Sequence, residues 1–109
     1  MIRELALGYE IVYNLFEVNK MKVIGVQLLH KAELPEDEAN RLKAIIKGYE
    51  STVQLKLGNE ILDVTSQDDL NKLMANKGTH FQIMVDGTQD AQKLLSLVHT
   101  EFVKHGWCY

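Results

Sequence analysis

Four histidines, one cysteine and a run of acids behind the sole proline are the side chains here with the most chemistry in them. Imidazole can move a proton, accept a phosphoryl group or hold a metal near neutral pH. His30 follows an apolar stretch, in Leu29-His30-Lys31. His80, His99 and His105 are scattered, and the last two, six apart, do not share a helical face. No carboxylate-rich metal spacing is read around them, so neither a metal nor a cofactor is expected. Cys108 alone builds neither a disulfide framework nor a thiolate metal site within one chain, which makes a reducing compartment the default. Ser66-Gln67-Asp68-Asp69 reads as a helix start, a capping box with Asp in place of Glu. No glycine-rich phosphate loop, CxxC pair or serine-histidine-acid spacing stands out.

These side chains must be positioned by an alternation of strands and helices. Residues 22–30 are β-branched and apolar, as a buried strand requires. Leu34-Pro35-Glu36-Asp37-Glu38 reads as a helix start, with proline in the first turn and acids at the positive end of the dipole. Ala39, Leu42, Ile45, Ile46 and Tyr49 follow at helical spacing, and Gly48 marks the stop. Val53, Leu55 and Leu57 alternate with Thr52, Gln54 and Lys56, then Gly58-Asn59 turns the chain and Leu62 and Val64 resume the alternation. A short helix carrying Leu70, Leu73 and Met74 comes next, ending near Gly78, and Phe81, Ile83 and Val85 form a fourth strand. After Asp86-Gly87-Thr88, the residues Ala91, Leu94, Leu95, Val98 and Phe102 make the stripe of a last helix. One antiparallel sheet with helices on one face, an α+β fold, satisfies this order. The tail Trp107-Cys108-Tyr109 is expected to cap the core, with an exposed anchor for a partner as the alternative.

At 109 residues the chain suits a single domain, and 46% hydrophobic residues are enough for a core. A net charge of −3 argues against general nucleic-acid binding. Arg41, Lys43 and Lys47 do cluster, but Glu36, Asp37 and Glu38 sit beside them, as on a solvated helix face. No apolar run approaches the roughly 20 residues of a membrane span. Glu4, Glu10 and Glu17 interrupt what would be a secretory signal. A cytoplasmic protein is expected.

The element order and lengths over about residues 22–104 resemble HPr, the histidine phosphocarrier of the bacterial sugar phosphotransferase system. The resemblance rests on Lys47-Gly48-Tyr49, Gly58-Asn59, Ser66, Gly78 and Gly87, which fall at family spacing. It implies an HPr-like open-faced β-sandwich, with a four-stranded antiparallel sheet and three helices on one face. It also implies a phospho-accepting histidine at the start of the first helix, followed by a small residue, an arginine and a proline. Aligned without gaps from Gly48, that motif falls on Pro35, Glu36, Asp37 and Glu38. Proline has no nitrogen to phosphorylate, and three carboxylates repel a phosphate. The phosphotransfer site is therefore expected to be degenerate, the chain not an enzyme, and its role that of a regulatory or protein-interaction module. His30 is the rival phospho-acceptor of a divergent phosphocarrier. It needs about five inserted residues and still lacks the arginine and proline, so a strand-end histidine is the preferred reading. Ser66 matches a serine that some relatives phosphorylate for regulation, although Asp68 and Asp69 oppose a phosphate there and a plain N-cap serves as well.

Residues 1–20 exceed the family's extent, and the HPr-like domain is read as 21–109. Ile2, Leu5, Tyr9, Val12 and Phe16 lie on one helical face, which suggests an amphipathic helix that covers the open sheet or joins two copies in a homodimer. A small oligomeric structural or ligand-binding domain is thus a third reading, and a translation start at Met21 stays open.

Overall fold

The computed structural model describes residues 21–87 and 89–109. The expected N-terminal helix and the self-association through it lie outside the described residues. Among the described residues, four strands and three helices follow in the order β1 (Met21–Gln27), α1 (Glu38–Lys47), β2 (Thr52–Leu57), β3 (Glu60–Asp63), α2 (Gln67–Met74), β4 (His80–Asp86) and α3 (Ala91–Lys104). The strands form one antiparallel sheet in the order β1-β4-β2-β3. Alternation along each strand decides its faces. Val53, Leu55, Leu62, Phe81, Ile83 and Val85 point to one side and are buried under the helices. The other side carries Thr52, Gln54, Lys56, His80 and Gln82 in the open, with Met21, Val23 and Ile61 about half exposed. The fold is the expected α+β, open-faced sandwich.

The helices bury the stripes their spacing predicts. Leu42 of α1, Leu70 and Leu73 of α2, and Leu94, Val98 and Phe102 of α3 are fully buried. The β2–β3 hairpin closes through Gly58-Asn59. Gly58 alone is left-handed there, at φ 63°, as a type II′ turn requires of its first central residue. The Asp90 carboxylate, just ahead of α3, accepts from the Glu50 amide at 3.1 Å and the Ser51 hydroxyl at 2.5 Å, which ties the α1–β2 loop to the start of α3.

Three local expectations are corrected. The first strand ends at Gln27, and His30 sits in an exposed turn closed by the Ala32 amide on the Leu29 carbonyl. The first helix begins at Glu38; Pro35 instead opens a turn in which the Glu38 amide bonds the Pro35 carbonyl. Gly48 does stand at the end of that helix, but at φ −79°, so its backbone needs no left-handed freedom.

Candidate functional site

The chain is most elaborately fastened where the C-terminal end of α3 meets the β1–α1 loop. Gly106 reverses the backbone at φ 74°, just past the His105 cap. The Gly106 amide then bonds the Val103 carbonyl and the Trp107 amide the Phe102 carbonyl, the paired bonds of a Schellman motif. The accompanying apolar contact is aromatic: the Phe102 and Trp107 ring centres are 4.4 Å apart, and both side chains are fully buried. From there the tail runs along the loop. The Leu29 amide bonds the Trp107 carbonyl, the Glu33 amide bonds the His105 carbonyl, and the Trp107 indole donates to the Glu33 carbonyl. Trp107 and Cys108 cap the core as expected, while Tyr109 is exposed, with Lys31 over its ring and His99 bonded to its carbonyl oxygen.

This fastening sets the first turn of α1 against the last turn of α3 and brings five ionisable side chains together. His105 Nε2 lies 3.0 Å from Glu38 Oε1 and 3.0 Å from Glu101 Oε2. Arg41 Nε spans the same two carboxylates at 3.3 and 3.5 Å, and Lys104 Nζ stands 3.8 Å from Glu101. The Glu38 side chain is fully buried and that of Glu101 is 8% exposed. As a carboxylate, Glu38 has no aligned hydrogen-bond donor among the described residues. The single hydrogen on His105 Nε2 can point along only one of its two contacts, and the aligned one is to Glu101. Burial pushes the Glu38 pKa up to about 7, the Glu101 charge pushes the same way, and His105 and Arg41 pull only partly back. Burial also acts to raise Glu101, but hydrogen bonds from His105 and Glu38 and the Lys104 charge outweigh it and hold that pKa below the usual carboxylate value. A proton shared between the two acids thus resides on Glu38.

The candidates named from sequence are not gathered in one place. Pro35, Glu36 and Asp37 form the turn ahead of α1, with Glu36 and Asp37 exposed. Glu38 turns inward to α3, so the three expected surface carboxylates are two. His30 lies against Gly78: a Cβ added there would stand 3.0 Å from the imidazole. Ser66 caps α2, its hydroxyl accepting the Asp69 amide at 3.3 Å. The Asp69 carboxylate reaches back as a capping box asks, but to the Asp63 amide at 2.7 Å instead of Ser66. Glu101 escaped the sequence reading, which named His105 and Arg41 but gave them no part in a site. The available signal was Glu101-x-x-x-His105, an acid and an imidazole one helical turn apart, and it corrects the view that no carboxylate spacing accompanies the histidines.

No protein-family model matches the chain, and no curated protein does. Solved structures do. The histidine-containing phosphocarrier protein of Mycoplasma superposes with a TM-score of 0.65 at 15% identity, over 80% of this chain and 98% of its own. Phosphocarrier protein HPr from Bacillus anthracis gives 0.58 at 17% identity, over 75% and 96%. HPr-C-His from Thermoanaerobacter tengcongensis gives 0.59 at 12%, over 77% and 93%. The chain therefore has the HPr-like fold, and at these identities the likeness speaks for the fold alone. No described helix is long and apolar enough to cross a membrane.

Proposed function

We propose that this chain is a non-catalytic HPr-like module, a cytoplasmic protein that acts by binding protein partners in a regulatory role related to the bacterial phosphotransferase system. The observation that carries the reading is the start of α1 on an HPr-like fold. No histidine stands anywhere from Glu33 to Arg41, whichever residue is counted as the helix start. Glu36 and Asp37 are exposed carboxylates where a phosphate would need donors and positive charge. Glu38 is sealed against α3, and Arg41 is committed to the two glutamates. The partner surface on this reading comprises the turn ahead of α1 and the start of α2, where Ser66 is the candidate regulatory phosphorylation site.

The test is the intact mass of the protein after incubation with phosphoenolpyruvate and enzyme I, with a genuine HPr as control. The expected result is a labelled control and an unchanged mass here. A stoichiometric phosphate would overturn the reading, and its loss in His30→Ala would assign the acceptor to the exposed turn after β1.

A further inference from the structure

We propose that Glu38, Glu101 and His105 form a binding site for a divalent transition-metal cation of the zinc class. One ligand atom from each residue lies within 4.8 Å of the other two. His105 Nε2 is 3.0 Å from an oxygen of each glutamate. Zinc bonds of about 2.0 Å to nitrogen and oxygen put tetrahedral ligands about 3.3 Å apart, so these contacts need open by only a few tenths of an ångström. The second observation is Glu38 itself, fully buried, with neither oxygen meeting an aligned donor among the described residues. A buried carboxylate without an aligned donor is costly, and a cation between the three side chains supplies a stronger partner than the misaligned contacts of His105 and Arg41. The donor set of one imidazole and two carboxylates suits zinc, iron or manganese better than the all-oxygen preference of calcium. The ligands also come from two helices whose ends are locked together, as a preorganised site requires.

Arg41 is the competitor. Its guanidinium now balances both carboxylates, but its side chain is 49% exposed, so an ion that displaces it sends it into solvent and not into the core. Binding exchanges that contact and the Nε2 proton for one doubly charged ion. His105, at 15% exposure, gives the ion a route from solvent. This site is independent of the phosphotransfer reading and stands or falls without it.

The experiment titrates zinc chloride into the full chain, first stripped with chelator, by calorimetry and by thermal unfolding. The expected result is one zinc per chain with a raised Tm. Affinity should fall about tenfold or more in E38Q and in H105A. It should tighten in R41A and stay unchanged in H80A and H99A. Absence of saturable one-to-one binding overturns the site, as does zinc retained at full affinity in both E38Q and H105A. Weaker binding in R41A overturns the exchange. Should E38Q and H105A fail to fold, cobalt(II) added to the wild-type chain decides. Visible bands of a low-coordinate cobalt site support the assignment, and an unchanged aqueous spectrum refutes it.

Discussion

Glu38 shows how one carboxylate can change role without changing place. On the surface of a helix start it would be an ordinary dipole-compensating acid. Buried against Glu101, it holds a proton that the unfolded chain gives up near 4.5, since its own pKa is about 7. An acid raised in this way costs stability as pH climbs, because the unfolded state releases its proton first. In chelator-treated protein, the stability of wild type relative to Glu38→Gln should therefore decline from about pH 4.5 to about pH 7 and level off above, as urea unfolding across that range would measure. Glu101 has the opposite sign: its lowered pKa contributes stability above 4.5 that is lost as pH falls through the folded value. A flat difference between wild type and Glu38→Gln would mean that the two acids do not share a proton. The sequence could not disclose this pairing, because Glu38 and Glu101 are 63 positions apart in the numbering and each looks like a routine surface acid. Only the Glu101–His105 half, one turn apart on α3, was legible.

At the scale of elements, the stripes of α1, α2 and α3 and the alternation of β2 and β4 were readable, because periodicity records which face is buried. What was not readable is how α1 begins. Proline and acids mark a helix start to within a turn, but the loop ahead of α1 is held by bonds from the far end of the chain, and these move the first helical residue to Glu38. The Schellman motif after α3 is the device behind those bonds. Gly106 is left-handed, while a Cβ there would meet Lys31 only at 3.5 Å, so the penalty of a side chain is conformational and not steric. Gly106→Ala should cost about 1–2 kcal/mol by denaturant unfolding. Through the displaced Trp107 and His105 it should also loosen the start of α1, read as faster exchange of the Arg41 amide, which closes the first turn on the Asp37 carbonyl. Loss of stability without faster exchange there would separate the cap from the loop.

Across the whole molecule, the HPr-like order of strands and helices was legible because each element carries its own pattern and every connection but the β1–α1 loop is short. The open face of the sheet was legible too, from the polar residues of β2 and β4. Cys108 reports on the integrity of the assembled core. It is 2% exposed, and burial pushes its thiol up to about 11. The thiolate is the reactive form. Iodoacetamide at about pH 8 should thus label the native protein very slowly, and the rate should rise with urea in step with the unfolded fraction. Rapid labelling of the native state would show that the tail opens locally while the sheet stays intact.

The pairing of Leu29 with Trp107 also has a consequence for biosynthesis. The ribosome delivers the β1–α1 loop long before the tail that completes it, and β1 likewise waits for its neighbour β4. Until Trp107 emerges, the Leu29 amide and the Glu33 carbonyl lack their native partners. A nascent chain stalled ahead of Gly106 is then a ready substrate for chaperones and proteases, and the domain closes as a unit only when translation has passed its final helix.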